Sequence, residues 1–209
     1  TGFSLTMPLK ESIFDLNFEI DPVALRMRSA NTLIKENNTF YATSTDRTGF
    51  IRLFEGVASG RTAIIGGGGT ARAALAALDG IAENVDFLLR SPTRATLLST
   101  IAQKTKVSFF DMTHSLRGYD LVIATVPSGA SDQIAESLDF TIPTFCEVLY
   151  NPYPTLLLAK TRSLGSQTID GIDLLVEQAM DQVSLFTGRS LDLTEMRVAL
   201  QTVGRSHLL

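Results

Sequence analysis

The sequence predicts an α/β protein in which a doubly wound parallel sheet is joined to a smaller α/β unit that comes first in the chain. Three observations carry this. Four consecutive glycines, Gly66 to Gly69, lie between the apolar, strand-like run Thr62-Ala63-Ile64-Ile65 and the helix-forming run Thr70 to Leu78. Downstream, short runs rich in β-branched and aromatic residues alternate with helical intervals, an order that parallel strands with crossover helices satisfy economically. Residues 1–57 precede this unit and carry a different set of motifs.

In that first segment the polar groups fall in three stretches. Gly2 to Lys10 sets a hydroxyl, Thr6, four positions before an ammonium group, Lys10; Ser29-Ala30-Asn31-Thr32-Leu33 places an amide before an apolar run; Thr43 to Gly49 supplies the carboxylate of Asp46 in a loop. A lysine beside an aspartate can give a proton to a developing alkoxide while the carboxylate orients and polarises it, best where water is excluded. Taken singly, residues such as Lys10 and Asp46 are more often exposed than catalytic.

The glycine turn reads as G-x-G-x-x-A through Gly66, Gly68 and Ala71. Small residues at that spacing allow a tight turn, close approach of backbone to a pyrophosphate and close helix packing. The open amides of the helix that follows, from Gly69 and Thr70 onward, are suited to holding phosphate. A glycine-rich turn that serves packing alone is the competing reading. Strands are then expected at Val85 to Leu89, Val107 to Phe110, Asp120 to Ala124 and Phe145 to Leu149, so that residues from about 58 to about 170 form one Rossmann-like unit. In such a sheet an acidic residue about 20 positions past the glycines would select NAD, and an Arg would accommodate the 2′-phosphate of NADP. Arg90 stands there, in Arg90-Ser91-Pro92-Thr93-Arg94, where two guanidinium groups and two hydroxyls can clamp a phosphate by forked, charge-assisted hydrogen bonds. NADP is the expected cofactor; an ordinary solvated loop is the alternative.

From Ile172, apolar residues recur at helical spacing through Leu175, Val176, Ala179, Met180, Val183 and Phe186, with Gly188 as the stop. This places Gln178 off the apolar stripe. A second helix is expected from about Thr194, with Glu195 in its first turn and a polar tail behind it. The expected division is a substrate unit of residues 1–57 with 188–209, and a dinucleotide-binding unit of residues 58–187.

Composition narrows the chemistry further. With 44% hydrophobic and 19% charged residues over 209 positions, the chain can bury a substantial core. No apolar run approaches the ~18 residues that span a bilayer. A net charge of −4 and a pI near 5.2 argue against nucleic acid as a partner. The single Cys146 sits in an apolar run and reads as a buried thiol, in keeping with a reducing cytoplasm. His114, in a polar stretch, is expected to be exposed, and with His207 far away in the tail no zinc-ligand spacing exists. Pro127-Ser128-Gly129, after the fourth strand, lies where a cofactor would pass but is by itself only a turn.

Together these segments resemble the shikimate dehydrogenase family over nearly the whole chain, from Thr1 to about Met196. Gly2 to Lys10 is similar to the family's G-F-N-V-T-x-P-x-K, Ala30 to Leu33 to A-V-N-T-L, Ser44 to Gly49 to N-T-D-G-x-G, and Gly66 to Ala71 to its glycine turn. Arg90 to Arg94 resembles its N-R-T-x-x-R phosphate motif, Val148 to Pro152 its V-x-Y-N-P, and Asp170 to Ala179 its D-G-x-x-M-L-V-x-Q-A. Each is modest alone; in this order they are specific.

The resemblance implies reversible, NADPH-dependent reduction of 3-dehydroshikimate to shikimate in aromatic amino-acid biosynthesis, by a cytoplasmic monomer or homodimer with a small-molecule substrate. Carried over by position, it implies Lys10 and Asp46 as the catalytic pair and Thr6, Asn31 and Gln178 as substrate-binding groups. It implies Gly66, Gly68, Gly69, Thr70, Ala71, Arg90, Ser91 and Arg94 at the cofactor, with Tyr150 and Gly171 near its nicotinamide end. Ser4, Leu9, Ala30, Ser44, Arg47, Leu89 and Glu147 depart from the family's usual residues. Arg47 matters most, because a long cation next to Asp46 would lower that carboxylate's pKa or take its partner's place unless it turns away. The family's N-terminal stretch, with a Ser pair for the substrate carboxylate, has no counterpart here. The substrate unit is therefore expected to be truncated, and turnover to suffer more than cofactor binding. An NAD-dependent quinate/shikimate dehydrogenase, opposed by Arg90 and Arg94, and an NADP-binding paralogue or regulator without catalysis are the alternatives.

Overall fold

Two sheets, one mixed and one parallel, face a common cleft in the computed structural model, which describes residues 1–190 and 192–207. The last two residues of the expected polar tail lie outside the described residues. The mixed sheet contains β1 (Gly2–Ser4), β2 (Glu19–Ile20), β3 (Thr32–Glu36) and β4 (Thr39–Thr43) in the order β1-β3-β4-β2. β3 and β4 form a hairpin in the register Glu36↔Thr39, turned by Asn37 and Asn38, both at positive φ. Asparagine is among the few residues that tolerate that conformation, which the two-residue hairpin turn requires. Three α-helices belong to this part of the chain among the described residues: α1 (Leu9–Ser12), α2 (Pro22–Met27) and α3 (Thr45–Leu53). Asp21 caps α2 by accepting from the amides of Val23 and Ala24.

The parallel sheet contains β5 (Arg61–Ile65), β6 (Asn84–Leu88), β7 (Lys106–Phe110), β8 (Leu121–Ala124), β9 (Thr144–Glu147) and β10 (Gln167–Ile169), ordered β10-β9-β8-β5-β6-β7. The chain runs outward from β5 through β6 to β7, then returns to β8 on the other side of β5. That reversal opens a crevice beyond the carboxyl ends of β5 and β8. β8 and β9 are buried along their whole length, as expected of strands covered on both faces. The expected strands are present, and β10 is an addition that its three residues, Gln167-Thr168-Ile169, do not announce.

Helix α4 (Gly69–Leu78) links β5 to β6 and is buried from Ala71 to Leu78. It packs against the parallel sheet on one side and against α2 and α3 on the other, so small and apolar residues all round suit it. On the opposite face of the sheet, α6 (Asp132–Ser137) and α7 (Leu156–Ser163) close a second core around Val122, Phe145 and Leu157. α5 (Ala95–Ile101) covers β7.

Helix α8 (Gly171–Thr187) runs from the parallel sheet to the mixed one. It lies within residues 58–187, and its largest packing partner is α3. Its burial departs from the sequence stripe. Leu175 and Val183 are exposed, whereas Glu177, Gln178 and Gln182 are buried. One face, Ile172, Val176 and Met180, packs under α9 (Leu193–Ser206) against Leu193 and Met196. The polar face lies against α3, where Arg52 donates to Glu177 at 2.6 Å and Arg197 of α9 pairs with the same carboxylate. Thus α9 extends to Ser206, through most of what reads as a polar tail, because the charges that look solvated hold it to α8: Arg205 meets Asp173 at 2.5 Å and Gln201 donates to it at 2.8 Å.

Candidate active site

A cleft of about 870 Å³ separates the two sheets and is lined from both. On the mixed-sheet side, Asp46 lies in the first turn of α3 rather than in a loop, and is 5% exposed. Lys10, in α1, donates to its Oδ2 at 2.6 Å. The two hydrogens of Asn31 Nδ2 are shared among the other carboxylate oxygen at 3.0 Å, Thr45 Oγ1 at 2.9 Å and Gln178 Oε1 at 3.0 Å. Its carbonyl oxygen accepts from the Thr45 amide at 2.7 Å. Asn31 therefore fixes a carboxylate and a second amide at once, and every member is buried or nearly so. Thr6, exposed, stands at the rim of the same cleft.

Two further partners join this network. Thr45 is adjacent to Asp46, and Gln182 donates to the carbonyl of Asn31 at 3.1 Å and to Thr32 Oγ1 at 3.0 Å. Gln182 stands one helical turn beyond Gln178 on the same face, a spacing that would have found it. Arg47 is turned away: its Nε donates to the carbonyl of Ala76 in α4 at 3.3 Å. The Lys10–Asp46 pair is thus free of its guanidinium.

On the other side the glycine turn follows β5. Gly66 has φ +105°, and a Cβ there would meet Thr125 Oγ1, at the end of β8, at 2.6 Å. Only glycine suits both constraints. Gly68 precedes α4 without a side-chain cap, which leaves the first amides of that helix open toward the cleft that Gly66 to Thr70 line. A Cβ on Gly69 would sit 2.6 Å from Ser29 Oγ, so this glycine also lets the segment before Asn31 approach α4. Ala71 does not line the cleft; it is wholly buried behind the turn, where its small size lets α4 pack.

Arg90, Ser91 and Arg94 lie exposed past β6 along the cleft, and the side chain of Ser91 faces Thr93 Oγ1 at 3.2 Å. Arg94 Nη1 is 3.4 Å from where a Cβ on Gly68 would stand, so it already overhangs the turn. Neither Arg90 nor Arg94 forms an ion pair among the described residues. Open amides, glycine backbone and two unengaged guanidinium groups are the donor set that a phosphorylated dinucleotide with a 2′-phosphate needs, and the site fits one. Val126 and Pro127 line the floor past β8.

Tyr150 is exposed at the cleft, and Gly171 opens α8. A Cβ on Gly171 would strike the carbonyl oxygen of Leu149 at 2.5 Å, so glycine is needed for the helix to start this close to the turn after β9. Glu147, 1% exposed at the end of β9, supports that turn by accepting from Thr155 Oγ1 at 2.8 Å and the Leu149 amide at 3.2 Å. Burial pushes its carboxyl up from the usual carboxylate range, against the effect of those bonds. Burial likewise pushes the Cys146 thiol well up, leaving it a structural residue. His114 is half-buried, not exposed: its ring stacks on Phe110 and its Nε2 lies 3.2 Å from the hydroxyl of Tyr119, outside the cleft.

No protein-family model matches the chain. Shikimate dehydrogenase (NADP(+)) of Paramagnetospirillum magneticum is 32% identical over 202 residues, covering 90% of this chain and 73% of the relative. The chain belongs to the shikimate dehydrogenase family. Among solved structures, the shikimate dehydrogenase of Mycobacterium tuberculosis superposes with a TM-score of 0.87 at 29% identity, over 97% of this chain and 78% of that one. The shikimate 5-dehydrogenase of Thermus thermophilus, solved in complex with NADP(H) and shikimate, superposes with a TM-score of 0.80 at 25% identity, over 96% and 78%. Within this shikimate dehydrogenase fold the crevice at the chain reversal and the Lys10–Asp46 cluster share one cleft. Among the described residues no helix is long and apolar enough to cross a membrane, and no cluster of three metal-ligating side chains occurs.

Proposed function

We propose that the protein reversibly reduces 3-dehydroshikimate to shikimate with NADPH, in aromatic amino-acid biosynthesis, as a cytoplasmic monomer or homodimer. The observation that carries the reading is the Lys10–Asp46–Asn31 cluster lying in the same cleft as the glycine turn and the two free arginines. In this reading residues 58–187 hold the cofactor, and residues 1–57 with 188–209 hold the substrate.

When bound, NADPH supplies the hydride that adds to the carbonyl carbon. The chain does the rest. Gly66, Gly68, Gly69 and Thr70 receive the pyrophosphate on backbone amides, with Ala71 packing behind them, and Arg90, Ser91 and Arg94 receive the 2′-phosphate. Tyr150 and Gly171 border the nicotinamide end. Thr6 and Gln178 hold substrate hydroxyls, a task that suits fixed polar groups because an analogue lacking a hydroxyl leaves them unpaired. Lys10 gives a proton from Nζ to the carbonyl oxygen as negative charge develops there, and Asp46 keeps that ammonium group in place. In the oxidative direction the lysine takes the proton back. Asn31 holds Asp46 and Gln178 in register.

Hydride transfer assayed with shikimate and with quinate, each with NADP and with NAD, tests the proposal. Turnover greatest with shikimate and NADP is expected. Greater turnover with quinate and NAD, or none with any pairing, would overturn it.

A further inference from the structure

Helix α1, which carries Lys10, has four residues, and none of them is buried. Its own apolar contacts therefore cannot hold it in place, and an isolated turn of helix is unstable in water. Two ties fix it. On one side the Ala30 amide donates to the carbonyl of Lys10 at 3.0 Å. On the other, the carboxylate of Glu11 pairs with Arg72 of α4 at 2.5 Å.

Arg72 is an unusual residue for that task. It is 2% exposed, inside a helix otherwise made of small and apolar residues, and burial pulls its pKa down from the usual guanidinium range. Its Nη1 donates to the carbonyls of Met27 and Arg28, each at 2.9 Å, at the end of α2. Its Nε has no partner among the described residues. A buried charge is costly and is tolerated only where its contacts are needed. The carbonyls it holds begin the segment 27–31. That segment packs Ser29 against Gly69, bonds Lys10 through Ala30 and ends at Asn31. One guanidinium thus fastens both the lysine's helix and the asparagine's approach to the helix that opens at the phosphate-binding turn. It also engages the carboxylate next to Lys10, which leaves that lysine to Asp46.

We infer that Arg72 and Glu11 are positioning residues for the reaction, tying the helix of Lys10 to the cofactor-binding helix so that the proton donor keeps its place relative to the glycine turn. The inference rests on the role of Lys10 proposed above. Its test uses Glu11→Gln, which alters a half-exposed side chain and keeps an oxygen that can accept from Arg72, together with Arg72→Lys, which keeps the charge but cannot reach all three partners. Expected in Glu11→Gln are a fall in kcat of about five- to tenfold, since small misplacements at a reacting group cost rate steeply, and faster amide hydrogen exchange at residues 10–12. NADPH affinity should stay within about twofold, while the melting temperature falls, because the buried guanidinium of Arg72 loses its one carboxylate partner among the described residues. Arg72→Lys should lose more turnover, with faster exchange reaching residues 28–31.

A kcat within about twofold of the parent in Glu11→Gln, unchanged exchange in α1, or NADPH affinity falling as far as kcat would overturn the inference. Lys10→Ala in the same assay separates the two readings. If it keeps its turnover, the role of Lys10 fails and the inference with it. If turnover is lost there but kept in Glu11→Gln, only the tie fails.

Discussion

The two walls of the cleft are built by opposite means. The cofactor wall is mostly backbone: a glycine at φ +105°, open amides at the start of α4, and exposed arginines that form no ion pair among the described residues. The substrate wall is mostly side chain. Lys10, Asn31, Thr45, Asp46, Gln178 and Gln182 are bonded to one another in advance, across as many as 151 positions of sequence. A backbone cradle depends on local conformation and tolerates changes elsewhere; a pre-bonded cluster fails together when one member is removed. The walls should therefore be separable by substitution.

The largest effect is expected from Asn31→Ala. It deprives the buried Thr45 amide of its acceptor and frees both Asp46 and Gln178. Turnover should fall by about a hundredfold, as for other displaced reacting groups, while NADPH titrated by fluorescence binds nearly as before. Gly66→Ala should do the reverse. A methyl 2.6 Å from Thr125 Oγ1 at a left-handed φ carries strain of roughly 1–3 kcal/mol, so NADPH affinity should drop by about ten- to a hundredfold. An affinity unchanged by that substitution would show that the turn is not where the cofactor lies.

A smaller change is expected at the exposed arginines. Arg90→Ala should lower the preference for NADPH over NADH by about tenfold, the worth of one charge-assisted contact, with little effect on NADH itself. If both cofactors weaken alike, Arg90 is not reading the 2′-phosphate. The smallest effect concerns stability. The raised pKa of Glu147 means that the folded protein binds a proton more tightly than the unfolded chain there. Its contribution to stability is therefore lost as pH rises from the ordinary carboxylate range through the raised value. Melting temperatures of Glu147→Gln should lack that part of the decline, and a curve parallel to the parent's would contradict the shift.

The same contrast explains what was legible in the sequence. The parallel sheet, the turn at Gly66 and the arginines after β6 are local patterns, because strand, turn and helix there are consecutive. Lys10, Asn31, Asp46 and Gln178 are marked only by motif resemblance, since nothing in their spacing says that they meet. The Arg72–Glu11 tie works by contact across the fold and leaves no local pattern, whereas Gln182 lies one turn from Gln178, a spacing that marks a shared face but not the partners across it. In α8, Leu175 and Val183 read as core and are exposed, whereas buried Glu177 and Gln182 read as surface; residue type cannot reveal that Arg52 and Asn31 wait on the facing elements. Arg205 and Gln201 misled in the same way, looking solvated while they hold α9 onto α8.

A proton donor and a cofactor cradle that substitution can separate meet in this cleft, and one measurement separates them most directly. Shikimate oxidation with NADP and NADPH binding are followed in the same preparations of parent and Lys10→Ala. Expected in Lys10→Ala is a loss of turnover of about 10²- to 10⁴-fold, the usual worth of a general acid, with NADPH affinity within about twofold of the parent. Turnover that survives the substitution, or affinity that falls with it, would contradict the account.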